Sequence, residues 1–138
     1  MPTQNKRFTV FGDAIEILVD GKTSHGSIAV LTQTSPPGGG PPRHRHTYED
    51  ETFVVLDGEF EVFDGADWRP LPQGEVFFTR RGDVHTFRNS GFRNGTMLVF
   101  VAPAGFEQYL EELSPFSFPL DADRIVAISK QYGISFVS

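Results

Sequence analysis

The chain has 138 residues, a formal net charge of −6 and no cysteine. This length suits a single domain, and the lack of cysteine excludes disulfide bonds and thiolate metal ligands. Acidic and basic residues are scattered, which argues against a nucleic-acid partner, because nucleic acid normally binds a basic face. The sequence has no apolar run of signal-peptide length at its start and no stretch of the roughly 20 apolar residues that span a membrane. We therefore expect a cytoplasmic protein with no membrane partner.

Short apolar runs separated by glycine, proline, aspartate and asparagine predict many short strands. The first runs are residues 8–19, read as one or two strands, and residues 27–34. Residues 36–42 are all proline or glycine. Because proline fixes φ and glycine permits positive φ, they predict a shaped loop. This loop is either a plain connection or a rim over a site.

The second half of the strand region contains a turn signal that is typical of hairpins. Residues 51–56 and 59–63 flank Asp57-Gly58, a preferred type I′ pair, and predict a hairpin. Further strands are predicted at residues 68–71, 75–79, 84–87 and 96–102. The last of these is apolar almost throughout, which predicts that both of its faces are covered.

The apolar period changes to that of a helix near residue 106. Phe106, Tyr109, Leu110 and Leu113 lie at i, i+3, i+4 and i+7, and Glu107 lies outside this face. The spacing therefore predicts a helix with one buried face.

A second helix is predicted after residue 120. Asp121 is a candidate N-cap, Leu120 and Ile125 are spaced as a hydrophobic staple, and Gly133 suits the position after the helix end. The apolar tail, residues 134–136, is expected either to dock on this chain or to join a neighbouring subunit's sheet. Together the elements predict a mainly β fold in one domain of residues 1–138. Its core would be a small barrel or jelly roll (about 7–102) with two short C-terminal helices (about 105–132).

Four side chains are candidates for metal ligands. His44 and His46 are one residue apart, and an extended segment would direct both imidazoles to the same face. The polar residues 47–50 permit a turn, after which Glu51 can face the same point. His85 follows a turn at the start of a later strand and supplies a third imidazole. Burying these groups in a phenylalanine-rich interior without a cation would be costly.

The remaining polar residues receive simpler interpretations. His25 is expected to be a hydrogen-bonded core histidine, and Glu49 and Asp50 are read mainly as turn residues. Arg43 and Arg45 have the opposite parity to the histidines and should face outward. Six residues are candidate pocket walls, each more simply explained as core packing: Phe53, Val55, Phe77, Phe87, Met97 and Val99.

The spacing of the candidate ligands resembles the two motifs of the cupin superfamily. The first motif reads Gly38, five residues, His44-Arg45-His46, four residues, Glu51, six residues, Gly58. The second reads Gly74, five residues, Arg80-Arg81-Gly82, two residues, His85, three residues, Asn89. Nine of the ten fixed positions match, and the departure is Arg80, where the family usually has a turn proline. The flanking elements are similar to those of small single-domain cupins described as quercetin dioxygenase-like, with a jelly-roll β-barrel.

The resemblance implies that His44, His46, Glu51 and His85 ligate one divalent transition metal. Three imidazoles and a carboxylate suit Fe, Mn, Ni, Co, Cu or Zn better than Mg or Ca. Four protein ligands would leave one or two positions of a five- or six-coordinate ion for water, dioxygen or a substrate oxygen.

The sequence is compatible with three functions. The first is a dioxygenase-type oxidoreductase for a small apolar or aromatic substrate, with Glu51 as both ligand and catalytic base. The second is a metal-dependent isomerase or lyase, and the third is a non-catalytic protein that binds small molecules. Exposed sheet edges and the apolar tail also predict a homodimer.

Overall fold

A computed structural model describes residues 5–137, so the ends of the predicted domain at Met1 and Ser138 lie outside it. The described residues form a mainly β structure with two helices, as predicted. The strands are β1 (Arg7–Val10), β2 (Asp13–Val19), β3 (Ala29–Ser35), β4 (His44–His46), β5 (Asp50–Asp57), β6 (Phe60–Phe63), β7 (Trp68–Leu71), β8 (Val76–Thr79), β9 (Thr86–Asn89), β10 (Gly95–Ala102) and β11 (Ile134–Phe136). The helices are α1 (Phe106–Leu113) and α2 (Ala122–Gln131).

The strands form three antiparallel sheets. The largest has six strands in the order β1-β2-β3-β10-β5-β8, the second has the order β7-β6-β9, and β11 pairs with β4 alone. Inward-facing aliphatic and aromatic side chains of the sheets, with those of both helices, form one buried core. Because the hydrogen-bonded ladders are separate in the described residues, a closed barrel stays a prediction.

The hairpin predicted at Asp57-Gly58 was wrong. β5 pairs with β10 and β8, whereas β6 pairs with β7 and β9, so the two strands belong to different sheets. The favourable turn pair therefore carries the chain from one sheet to the next. The turn at residues 64–67 does join paired strands, β6 and β7.

Strand β10 is covered on one face only, which corrects the expectation of two covered faces. Met97, Val99 and Val101 are at most 1% exposed, but the alternate residues of this strand are only half-buried. The outer face of the same sheet continues to the edge strand β8, where Val76 is 59% and Phe78 is 55% exposed. An apolar outer face is thus left open to solvent in this chain.

Helix α1 buries the predicted face, and Phe106, Tyr109, Leu110 and Leu113 are all buried. Glu107 was expected to be exposed, but it is buried as well. Its carboxylate accepts hydrogen bonds from the backbone N–H groups of Gly21 and Gly105, each at 2.6 Å. These two bonds supply the partners that a buried carboxylate requires.

Helix α2 begins as predicted but lacks the predicted cap. The Asp121 carboxylate accepts a hydrogen bond from the backbone N–H of Ser117 rather than from the helix, and Leu120 is 89% exposed, so no staple forms with the buried Ile125. Gly133 does follow the helix with a φ of 73°. Beyond it, β11 pairs with β4 of the same chain. Neither described helix has the length and apolar character needed to cross a membrane.

Candidate metal centre

The fold brings together the four side chains that the sequence singled out. His44 and His46 flank the exposed Arg45 in β4 and are both buried, and Glu51 lies near the start of β5. His85 precedes β9, where its backbone exchanges hydrogen bonds of 3.1 and 2.9 Å with His44. One ligand atom of each side chain lies within 4.8 Å of all the others. This cluster can hold a metal ion.

Each of the three imidazoles is oriented by a hydrogen bond at Nδ1. The acceptor is the Pro42 carbonyl oxygen for His44 (2.7 Å) and the Asp83 carbonyl oxygen for His85 (3.3 Å). Because a carbonyl oxygen only accepts, these two rings carry hydrogen on Nδ1, which leaves Nε2 of each ring facing the cluster.

The third imidazole, His46, has a carboxylate partner. Its Nδ1 lies 3.2 Å from Oε1 of Glu49, and both side chains are buried. Acceptors of this kind fix the ring and raise the basicity of the other nitrogen, as they do for histidine ligands of metals. Glu49 lies in the connection between β4 and β5, as predicted, but the contact of its buried carboxylate with His46 was not predicted.

Glu51 lies at the centre of the cluster. Its Oε1 is 3.0 Å from Nε2 of His85, with hydrogen-bond geometry, and 2.6 Å from Nε2 of His46. The second contact is poorly aligned, so Nε2 of His46 has no hydrogen-bond partner within residues 5–137. A buried ring nitrogen without a partner, beside a carboxylate and two further nitrogens, fits the place of a cation. The donor set therefore suits a divalent transition metal.

The charges of the cluster are strongly coupled. Burial and the neighbouring histidines lower the pKa of His44 to about 3, so its ring is neutral. Burial would also lower the pKa of His46, but the adjacent Glu51 charge outweighs it and raises that pKa to about 9. Burial opposes ionisation of Glu51, yet His46 and His85 hold its pKa well below the ordinary value. In the metal-free cluster His46 therefore carries a proton beside the ionised Glu51.

Other polar residues lie away from the cluster. His25 is exposed in the loop between β2 and β3, so its interpretation as a core residue was wrong. The Asp50 carboxylate accepts hydrogen bonds from the backbone and guanidinium of Arg81, which ties the segments carrying Glu51 and His85 together. The Arg43 guanidinium lies 3.9 Å from the centre of the Phe63 ring.

A cavity of about 30 Å³ lies beside His44 and Glu51. By volume it accommodates roughly two water molecules. Of the six predicted wall residues, Phe53 and Phe87 line it, whereas the other four are buried core. The remaining lining residues are Val10, Phe11, Gln33, Pro41, Phe106, Tyr109, Leu110, Ile134 and Phe136. Sequence reasoning missed these, although Gln33 shares the parity of Leu31 on β3 and could have been assigned to the inner face.

A groove of about 630 Å³ lies outside the cavity, between the proline- and glycine-rich loop and the link from α1 to α2. Phe11 and Pro41 line both spaces. The loop of residues 36–42 thus contributes to the rim, and its Pro42 carbonyl also orients His44.

Comparisons with known proteins identify the family of this chain. Residues 31–101 match the family model described as Cupin domain. Over 67 residues the chain is 36% identical to the oxalate-binding protein of Thermotoga maritima, covering 49% of this chain and 53% of that protein. The chain spans about half the length of the curated relatives it matches.

Solved structures share the fold. A crystal structure of a predicted oxalate decarboxylase from Thermotoga maritima superposes with a TM-score of 0.63 at 24% identity, covering 72% of this chain and 92% of that one. A structure of oxalate oxidase superposes with a TM-score of 0.59 at 25% identity, covering 70% of this chain and 55% of that one.

Proposed function

Because this chain belongs to the cupin family, we propose that it is a metal-dependent oxidoreductase of the dioxygenase type that acts on a small substrate. The observation that carries the proposal is the convergence of three Nε2 atoms and one carboxylate at the wall of an apolar cavity. His44, His46, Glu51 and His85 would hold one divalent metal, Fe, Mn, Ni, Co, Cu or Zn. When bound, such a metal supplies Lewis acidity and, for a redox-active ion, electrons for dioxygen chemistry.

The cavity restricts the class of substrate. Its walls are mainly aromatic and aliphatic, and no lysine or arginine is among the described residues that line it. One divalent cation would already face the carboxylate of Glu51, and Glu49 lies buried behind His46. A ligand with at most one negative charge is therefore easier to bury than a dianion. A small enol, phenol or monocarboxylic acid satisfies this limit on charge.

Glu51 is the candidate catalytic base. Its Oε1 lies 2.6 Å from Nε2 of His46 and 3.0 Å from Nε2 of His85, and in the metal-free cluster this carboxylate is ionised beside the protonated His46. The same carboxylate borders the cavity and can accept a proton from an enol or phenol that enters it. The surrounding phenylalanines exclude bulk water from this transfer.

A second candidate function is non-catalytic binding of a small carboxylate. The 36% identity to an oxalate-binding protein favours it. The same four side chains would hold the metal, and the ligand would leave unchanged. An isomerase or lyase in which the metal acts as a Lewis acid would use the same site. Oxygen uptake distinguishes the oxidoreductase from the binding function and from the isomerase or lyase.

Finer features of the assembly are also proposed. The three sheets would form the jelly-roll barrel of quercetin dioxygenase-like proteins, in a single domain of residues 1–138. The open apolar face that includes Val76 and Phe78 would pair two copies into a homodimer.

Two measurements test the proposed function, first the metal content and then oxygen uptake. The purified protein should bind one transition-metal ion, and Glu51→Ala should lose it, whereas the exposed control Glu75→Ala should keep it. The protein loaded separately with each of the six metals is then assayed in an oxygen electrode with 2,4-pentanedione, catechol and a flavonol. Uptake with one metal supports the oxidoreductase. Metal binding without uptake for any combination would contradict it and leave the binding, isomerase and lyase functions.

A further inference from the structure

Gln33 is the polar group of the cavity that the proposed metal site does not use. It lies on β3 with its side chain on the face that carries the buried Leu31 and Ser35. Apart from it, the polar side chains that line the cavity are His44, Glu51 and Tyr109. The Tyr109 hydroxyl is already hydrogen-bonded to Oγ of Ser129 at 2.7 Å. The Gln33 side chain therefore has hydrogen-bonding capacity that the described side chains do not fully use.

A buried carboxylate orients the Gln33 amide. Nε2 of Gln33 donates to Oδ2 of Asp13 at 2.7 Å, and Oγ of Ser35 donates to the same oxygen at 2.8 Å. Asp13 is fully buried, and its Oδ1 has no partner within residues 5–137. Two donors converging on one oxygen are the pattern of a carboxylate, which only accepts. The amide nitrogen must therefore point at Asp13, and the carbonyl oxygen Oε1 points away from it.

We propose that Gln33 is the specificity-determining acceptor of the cavity, with Asp13 as its positioning residue, and that it selects ligands that present a hydrogen-bond donor beside the metal-binding oxygen. This inference rests on the proposed metal site. A buried acceptor left without a donor costs free energy, so the cavity discriminates against an analogue that lacks the donor. A hydroxy acid fits, since its carboxylate would face the metal ligands and its hydroxyl would face Oε1.

Glycolate and acetate are a matched pair of probes, because they differ by one hydroxyl. Their binding is measured from the visible spectrum of the Co²⁺-loaded protein, which needs no turnover. The wild type should prefer glycolate by about five- to tenfold, the worth of one net hydrogen bond. Gln33→Met should abolish this preference while leaving acetate binding nearly unchanged.

Asp13→Asn tests the positioning role and serves as the second variant if Gln33→Met folds poorly. The new amide can donate to Oε1 and turn the Gln33 amide around, so Nε2 faces the cavity. The glycolate hydroxyl can accept from Nε2, but its own hydrogen then has no acceptor, and the preference for glycolate falls. Gln73→Met is the matched control, because Gln73 is exposed and donates to the Leu56 carbonyl.

The outcomes separate this inference from the proposed function. If the wild type binds Co²⁺ but does not distinguish the two probes, or if both variants keep the preference, the role of Gln33 is overturned and the metal site stands. If the wild type binds no Co²⁺, the proposed function fails and this inference fails with it. Loss of the preference in Gln33→Met or Asp13→Asn, with Gln73→Met unchanged, supports the inference.

Discussion

Nδ1 of His46 lies 3.2 Å from Oε1 of Glu49, three residues further along the chain, and both side chains are at most 7% exposed. The pair spans the turn between β4 and β5 and so links one candidate ligand to the segment that positions the next, Glu51. A buried carboxylate behind an imidazole is the arrangement that tunes histidine ligands in metal sites.

Glu49→Ala should weaken metal binding without abolishing it. Outer-shell partners of this kind typically change metal affinity by about 10- to 100-fold. Competition with a chromophoric chelator for Co²⁺ measures the change. Arg45→Ala, at an exposed position between two ligands, is the control and should bind Co²⁺ as the wild type does. An unchanged affinity in Glu49→Ala would contradict the assigned role.

Metal binding should release a proton near neutral pH. The Glu51 charge raises the pKa of His46 to about 9 against the effect of burial, so at pH 7 its ring holds a proton that a metal must displace. Roughly one proton per Co²⁺ is expected at pH 7 and almost none above about pH 10. Calorimetric titration in two buffers of different ionisation enthalpy measures the number of protons released per Co²⁺ bound.

The same shift has a consequence for the metal-free fold. The folded-state pKa of His46 lies above its ordinary value of 6.5, so the contribution of this group to stability is complete below about pH 6 and is lost as the pH rises towards 9. Pairs of urea titrations at pH 6 and 9 on the metal-free protein should show this loss, and His46→Gln should reduce it.

Gly40→Ala should destabilise the fold more than Gly38→Ala. Both glycines have positive φ, 153° and 77°, but a Cβ at Gly40 would collide with the carbonyl oxygen of Phe87, whereas one at Gly38 would meet nothing within 4 Å. The backbone strain at Gly38 is worth about 1–2 kcal/mol, and the clash at Gly40 adds to it. Thermal unfolding of both variants measures the difference, and equal losses would argue against the close packing of the loop on β9.

Phe11→Ala should speed exchange between the cavity and solvent. Phe11 has a φ of 53°, and its ring lies edge-on to Phe118 at 5.8 Å and to Phe136 at 6.3 Å. The ring borders both the cavity and the outer groove. Removing it should raise the rate at which EDTA strips Co²⁺ severalfold, whereas Phe92→Ala, at a fully exposed ring, should not. If EDTA removes Co²⁺ at similar rates from all three proteins, the path between the cavity and solvent does not pass Phe11.

Phe78→Lys should convert the proposed homodimer to a monomer. Val76 and Phe78 lie more than half exposed on the edge strand β8, and a lysine on an exposed edge opposes association of sheets. Light scattering after size exclusion gives the masses of the two proteins. A monomeric wild type would contradict the dimer.

Much of this arrangement could be predicted from local patterns. The parity of His44 and His46 on one short strand places both rings on one face, and the i, i+3, i+4, i+7 pattern of Phe106 to Leu113 determines the buried face of α1. These predictions depend on neighbours along the chain, which a sequence displays directly.

The errors concern contacts between distant segments. Asp57-Gly58 has the local chemistry of a hairpin, but pairing of β5 with β8 and β10 decides the topology. Glu107 carries a charge and was placed outside, yet it is buried because the backbone of Gly21, 86 residues away, supplies a donor. Glu49 was missed since nothing in residues 47–50 indicates that this carboxylate, rather than Asp50, turns inward.

The pairing of β11 with β4 also affects the order of events during synthesis. Ile134 lies opposite His46, and Phe136 lies opposite His44, so the strand that carries two candidate ligands acquires its neighbour some 90 residues after it leaves the ribosome's active centre. Until then its backbone edge is unpaired, and the apolar wall supplied by Ile134 is missing. A metal ion captured by the nascent chain would therefore bind a half-built site, and tight retention should begin only once β11 has been translated.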